Sequence, residues 1–259
     1  IDAARLAGVG EARELLPRVV RGAQATGWIP DHTFDRVGVK NLPYDEPYVL
    51  PENLFGAHAL TGEGRYLDLA KLYLLDKEFF EPLARGENVL PGRDGYSHVI
   101  ALSSAAKADE VLGDAKYLRA IRNGWEFLET TQRFASGAWA PQEMFVEPHT
   151  GGLGKALTTT RDHFETPCCY YAQAKLARYL TSFTGEARYG DGLERVLLNT
   201  ILGRWTRMRT GGISITRIIR RGRGNGFTSG SGRAARGRCC NRWRIIRWTC
   251  TSMTRGGFM

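Results

Sequence analysis

Apolar residues recur at helical spacing along most of the chain. Leu54, Ala57, His58 and Leu60 fall on one helical face, and Leu69, Leu72, Tyr73 and Leu75 on another. Between such stretches one short polar pattern appears three times: Thr61-Gly-Glu-Gly-Arg-Tyr66-Leu, Leu112-Gly-Asp-Ala-Lys-Tyr117-Leu and Thr184-Gly-Glu-Ala-Arg-Tyr189-Gly. Glycine ends a helix because it alone enters the left-handed region without steric cost, and an acid favours the electropositive start of the next. Each segment therefore predicts an αα-hairpin whose second helix carries the acid in its first turn and buries the tyrosine.

The tyrosines are 51 and 72 residues apart, so the connecting loops differ in length and the units do not form a uniform solenoid. Repeated hairpins with unequal loops suit a closed toroid in which long loops line one mouth. Two segments fit that role, 80–96 and 134–164, both rich in Gly, Pro and polar residues. Strand signals are nearly absent before residue 203. The expected class is all-α, with an array of helical hairpins that binds a partner as the plainer alternative.

Charge changes the picture at one place. The formal net charge is +9, yet residues 204–259 hold fourteen Arg and no Lys, Asp or Glu. Removing those fourteen from the 36 basic residues leaves 22 against 27 acidic ones in residues 1–203, a net of −5. A basic arm normally points to phosphate binding through counterion release. Here Ile213, Ile215, Ile218, Ile219, Trp243, Ile245, Ile246 and Trp248 interrupt the charge, so neither nucleic acid nor membrane is expected as a partner. No apolar run reaches the roughly 18 residues of a membrane span. The chain opens on Ile1 without a secretory pattern, and its start reads as truncated. The five cysteines form two adjacent pairs and one single residue, a poor basis for disulfides.

Six motifs in order carry a family resemblance. They are Leu90-Pro-Gly-Arg-Asp-Gly-Tyr-Ser-His98, Trp139-Ala-Pro-Gln-Glu-Met-Phe145, Gly151-Gly-Leu-Gly154, His163-Phe-Glu-Thr-Pro-Cys168, Lys175-Leu-Ala-Arg-Tyr-Leu180 running into Thr184 to Tyr189, and Glu194-Arg-Val-Leu-Leu-Asn-Thr200. Over most of residues 20–203 the chain resembles glycoside hydrolase family 127, the β-L-arabinofuranosidase-like enzymes. The resemblance implies an (α/α)6 barrel, here incomplete, that hydrolyses a terminal L-arabinofuranosyl or similar sugar with retention. It also implies a zinc ion held by one Glu and three Cys, one of them the nucleophile. Zinc lowers a thiol pKa enough to present thiolate at neutral pH, and a separate carboxylic acid protonates the leaving oxygen.

Carried over by position, Glu165 and Cys168 match the family's Glu-Thr-Cys metal element, with Pro167 lengthening the spacing by one. Read without the family, the same residues are a helix start and a small core residue. Cys169 is read as packing. His98 matches a histidine expected on the sugar, where the surrounding loop and Gly95 favour a mouth position, and His163 and His149 are weaker substrate candidates. No Glu occurs between Gly152 and Glu165, where the acid is expected, so Glu147 is taken as the catalytic acid, with Glu143 the other substitute. Rival readings are another α/α-toroid carbohydrate enzyme, such as an uronide hydrolase or sugar epimerase, and a non-enzymatic hairpin module.

Beyond Gly203 the resemblance stops. Reading each codon one base back restores family-like sequence, and some positions are forced: Trp248 before Thr249 and Met253 before Thr254 each require Asp. Arg233 to Arg238 then permit Cys-Cys-Ser-Gly-Thr-Leu, where the family carries its cysteine pair. The chain is accordingly divided into a catalytic-domain fragment, 1–203, and an out-of-frame tail, 204–259, expected to be irregular. As written, such a chain is expected to bind no catalytic zinc and to be inactive.

Overall fold

The computed structural model describes residues 1–25, 50–160 and 167–202. Among them the secondary structure is helical throughout, with no strand and one isolated antiparallel bridge, between Asp94 and Met144. The all-α expectation holds. The proposed boundary at residue 203 and the tail lie outside the described residues.

Two compact units divide the chain, residues 1–89 with 100–124, and residues 90–99 with 125 onward. The first contains α1 (Asp2–Leu6), α2 (Gly10–Ala25), α3 (Leu50–Thr61), α4 (Gly64–Leu72), a π-helical turn (Asp76–Phe80) and α5 (Glu81–Ala84). It also holds most of α6 (Gly95–Leu112) and the first part of α7 (Ala115–Thr131). The second holds the first turn of α6, the end of α7, α8 (Gly152–Thr159), α9 (Pro167–Thr184), α10 (Ala187–Val196) and a π-helical turn (Leu197–Leu202). The long segments expected as loops are thus partly helical, since α5 and α8 fall inside them.

The three predicted hairpin corners are present, and their chemistry is local. Gly62, Gly113 and Gly185 adopt φ of +77°, +68° and +68°, the left-handed cap that turns the chain out of a helix. Each donates its N–H to the carbonyl four residues back: His58 at 2.8 Å, Asp109 at 2.9 Å and Thr181 at 2.9 Å. Two residues into each following helix stands the tyrosine, with Tyr66 and Tyr189 fully buried and Tyr117 2% exposed. The basic residue just before the tyrosine lies over its ring, Arg65 at 4.7 Å, Lys116 at 4.9 Å and Arg188 at 4.8 Å from the centroid. A cation over a ring face is worth ~0.5–1 kcal/mol at such exposed sites.

The acid sits one residue earlier than expected, at the cap and not inside the first turn. Glu63 and Glu186 are the N-caps of α4 and α10 and make no side-chain cap bond. Their longer side chains reach forward to Arg65 and Arg188, at 2.7 Å and 2.8 Å. The shorter Asp114 instead accepts the Lys116 N–H at 2.9 Å, as capping aspartates do.

In the first unit the middle corner is tied to the π-turn. Asp76 accepts from Lys116 Nζ at 2.8 Å and from the Tyr117 hydroxyl at 3.1 Å, while Phe80 meets the Tyr117 ring edge-on at 5.8 Å. Residues 99–106 of α6 are buried on every side, which explains their run of small and apolar side chains. Gly124 lets α7 close on α6, since a Cβ there would stand 3.1 Å from Leu102 Cδ1.

In the second unit the core is aromatic. Trp125 meets Trp139 and Tyr189 edge-to-face, each at 5.4 Å. Gly192 gives Trp125 its space, because a Cβ at 192 would stand 2.7 Å from the indole.

Candidate active site

Three pieces of the second unit converge: residues 90–98, residues 137–146 and the start of α9. The first two run antiparallel for a few residues. Gly92 N–H donates to the Phe145 carbonyl at 2.9 Å, and Phe145 N–H donates to the Arg93 carbonyl at 3.0 Å. This short ladder fixes the approach of one segment to the other.

The segment before α6 ends in a cap that composition hid. Buried Asp94 accepts the Ser97 N–H on Oδ1 at 2.7 Å, satisfying one of the open donors of the helix start. His98 therefore lies in the first turn of α6 and not in a loop. It is 3% exposed. Its Nδ1 donates to the Asp94 carbonyl at 2.9 Å, with Ser97 Oγ at 3.2 Å. That bond places the proton on Nδ1 and leaves Nε2 as acceptor, and Arg93 Nη1 faces Nε2 at 3.5 Å. Burial, with the Arg93 charge adding to it, pushes the imidazole pKa down to about 3, so His98 is neutral at physiological pH.

Gly95, the first residue of α6, is the contact point. A Cβ there would collide with that of Ala140 and stand 2.9 Å from Cys169 Sγ. Only glycine lets these backbones come so close. Cys169 is fully buried and Cys168, one residue earlier in the first turn of α9, is half-buried.

The opposing turn is strained. Ala140, Gln142 and Glu143 have φ of +57°, +53° and +68°, and His149 has +61°. Non-glycine residues held there cost roughly 1–3 kcal/mol each, and such strain collects at ligand clamps and active sites. The surroundings hold the turn at both ends. Trp139 is fully buried, and Phe145 is fixed by the ladder. Gln132 brackets Val146, accepting its N–H at 3.0 Å and donating to its carbonyl at 2.8 Å. On the other side Gln173 of α9 donates to the Gly137 carbonyl at 3.1 Å.

The residues singled out from sequence fare unequally. His98, Glu143 and the Cys168–Cys169 pair belong to pieces that the structure brings together. Glu147 is exposed, beyond the strained turn, and its carbonyl accepts from the Thr150 hydroxyl at 2.7 Å. His149 is exposed as well. His163 and Glu165 lie outside the described residues, as do Cys239 and Cys240. The sequence reading passed over Arg93, Asp94 and Gln132. For Asp94 a signal existed, an Asp three residues before a Ser at a helix start; for Gln132 none did.

Of the zinc set implied by the resemblance, the described residues include Cys168, while Glu165 lies outside them. Among the described residues no three His, Cys, Asp or Glu side chains come together as ligands, and the thiols there are Cys168 and Cys169. No helix among the described residues is long and apolar enough to cross a membrane.

Comparison with known proteins supplies the remaining observations. The profile of the β-L-arabinofuranosidase, GH127 catalytic domain, matches residues 9–214. One similar solved structure is a GH127 β-arabinofuranosidase, at 18% identity and a TM-score of 0.47, covering 61% of this chain and 25% of that one. Another is a GH127 β-L-arabinofuranosidase from Geobacillus stearothermophilus T6, at 18% identity and a TM-score of 0.45, covering 60% of this chain and 28% of that one. The chain thus spans about a quarter of the length of the solved structures it resembles, 25% and 28%. No curated protein matches it in sequence.

Proposed function

The chain belongs to the β-L-arabinofuranosidase GH127 catalytic-domain family, a family of glycoside hydrolases, and on that premise we propose that it is part of a retaining enzyme that removes terminal L-arabinofuranosyl or similar sugars. The observation that carries the reading is the family match over residues 9–214. The local geometry agrees with it. A strained turn, a buried neutral histidine and a thiol pair converge, as a site that must hold one sugar in one orientation requires.

Retention needs a nucleophile on one face of the anomeric carbon and an acid that protonates the leaving oxygen. Glu143 is better placed for the acid than Glu147. Glu143 is half-buried within the strained turn, whose backbone approaches Gly95, whereas Glu147 lies on the exposed exit of the turn. In the family a zinc-bound cysteine serves as the nucleophile. Glu165 and Cys168 hold the matching positions, but the described residues do not complete the ligand set, and no step is derived through the metal.

The missing thiols have a genetic explanation. In this reading residues 204–259 are out of frame, so Ala234 and Ala235 stand where the family has its cysteine pair. The polypeptide as written then neither holds catalytic zinc nor cleaves a glycoside. The family match extends to residue 214, eleven residues into the stretch that this reading takes as out of frame.

A one-base correction after the codon for Gly203, read through to the natural stop, tests both parts. Zinc at one ion per chain and release of L-arabinose from a β-L-arabinofuranoside are expected in the corrected protein, provided it is also extended to the length of its solved relatives, and in neither case from the 259-residue chain. Zinc and turnover in the uncorrected chain would overturn the frame reading. Their absence from both proteins would overturn the glycosidase reading.

A further inference from the structure

Two ion pairs join α7 to α10, and they differ in burial. Glu126 and Glu129 stand three residues apart on α7, and Arg188 and Arg195 seven apart on α10, so each set follows one helical face. Glu126 Oε2 meets Arg188 Nη1 at 3.0 Å, with both side chains exposed. Such a pair contributes little, because water screens it. The Glu129 side chain is only 18% exposed, and its Oε2 meets Arg133 Nε at 3.3 Å and Arg195 Nη1 at 3.7 Å.

The second oxygen of Glu129 is turned to the strained turn. Glu129 Oε1 and the indole Nε1 of Trp139 are both buried, and neither meets any other group in hydrogen-bond geometry. The indole N–H acts on this same carboxyl, where it favours the ionised form. Burying a carboxylate is costly unless opposite charges and donors replace its water, and a tie between two helices needs only the exposed pair. We propose that Glu129 is a positioning residue for the strained turn: its carboxylate, clamped by Arg133 and Arg195, holds the Trp139 indole and with it the backbone from Ala140 to Glu143.

The chain on either side agrees with that role. Gly137 has φ of +92°, and a Cβ there would stand 3.0 Å from Arg195 Cγ and 3.3 Å from Val196 Cγ2, so the stem of Arg195 lies against the entry to the turn. Phe134 N–H donates to the Ala138 carbonyl and Gly137 N–H to the Phe134 carbonyl, each at 2.9 Å, which closes the link from α7 to Trp139 tightly. The charged groups facing Glu129 are Arg133, Arg195 and Glu126, and burial outweighs the two arginines and the indole, raising the pKa of its carboxyl. The inference concerns the shape of the turn and does not rest on the glycosidase reading. Only the presentation of Glu143 to a sugar does.

The test needs no sugar and uses the 259-residue chain labelled with nitrogen-15, observed by NMR, with the Trp139 indole N–H assigned by its loss in Trp139→Phe. That signal is expected to move as the pH is lowered, with a midpoint above that of an exposed glutamate, and Glu129→Gln should abolish the movement. In Glu129→Ala, hydrogen exchange at the Phe145 and Val146 amides should rise about tenfold, the scale of one hydrogen bond to a charged group, while the Gly185 amide at the hairpin corner keeps its rate. Glu129→Gln, whose amide oxygen still accepts from the indole, should show a smaller rise, and Glu126→Gln none. An equal rise at Gly185, Phe145 and Val146 would reduce Glu129 to a tie between helices and overturn the proposal. An indole signal that titrates identically with and without the Glu129 carboxyl would overturn it too, and that arm decides the matter if the alanine variant fails to fold. Neither result bears on the glycosidase reading.

Discussion

The hairpin corners and the turn at 138–146 solve the same problem, reversing the chain, by opposite means. Each corner is built within a few residues from a left-handed glycine, an acid, a cation and a tyrosine, and its turn is closed by bonds that span at most four positions, with ties to distant carboxylates added at the second and third. The turn at 138–146 puts Ala140, Gln142 and Glu143 into that left-handed region without glycine. It is held by groups far away in sequence, namely Arg93, Gln132 and Gln173. A corner that relaxes its own strain is architecture; a turn whose strain is maintained from outside has a geometry to deliver.

The largest effect that separates the two should come from the anchor of the strained turn. Trp139→Ala removes a fully buried indole packed edge-to-face on Trp125 at 5.4 Å, and a loss of ~3–5 kcal/mol is expected in denaturant unfolding. A loss below ~1 kcal/mol would show that the turn is not held by its ends.

Acid should act on the same region next. The His98 pKa is pushed down to about 3 in the folded protein, chiefly by burial, against about 6.5 when unfolded. Above pH 6.5 both states are neutral and nothing changes. Below it the unfolded chain takes up a proton that the folded one refuses, so stability falls by up to ~1.4 kcal/mol per pH unit until the folded value is reached. Unfolding curves between pH 7 and pH 4 should show that slope, and His98→Gln should remove it. Equal slopes in the two proteins would contradict the burial of the imidazole as the cause.

Gly95→Ala comes third. Its new methyl must displace Ala140 or Cys169, and overpacking of this kind costs roughly 1–3 kcal/mol. A faster reaction of Cys169 with a thiol reagent should accompany it, and unchanged reactivity would mean that the close approach is not maintained in solution.

The corners should respond least, and alike. Gly62→Ala and Gly185→Ala place a side chain at φ of +77° and +68° with open space around it, so each should cost only about 1 kcal/mol of backbone strain. Thermal shifts that differ strongly between the two would break the equivalence of these corners.

The same contrast explains what was legible in the sequence. The corners were, because glycine, acid, cation and tyrosine stand within six residues and their roles follow from local chemistry. The expected position of the acid was off by one, a cap taken for a first turn. The site was legible as a set of segments only. The segment with His98 and the cysteine pair were marked by resemblance, and both join the converging pieces, but Glu147 was chosen by its place in the order of motifs and lies outside the convergence. Positive φ at Ala140, Gln142 and Glu143 leaves no trace in residue type, since those residues are put there by contacts across the fold. The contact of Gly95 with Cys169 joins positions that sequence alone has no means of pairing.

The ladder between Gly92 and Phe145 also sets an order of events during folding. Closing the chain between those residues brings together ends about fifty positions apart, an entropy loss that the corners, closing over four, do not face. Hairpins such as α3–α4 can form on the microsecond scale of local helical structure, whereas the ladder has to await the collapse that delivers both partners. Pulse-labelled amide exchange should therefore protect Gly62 and Gly185 early and Phe145 late, so that in a refolding chain the strained turn is the last thing to exist.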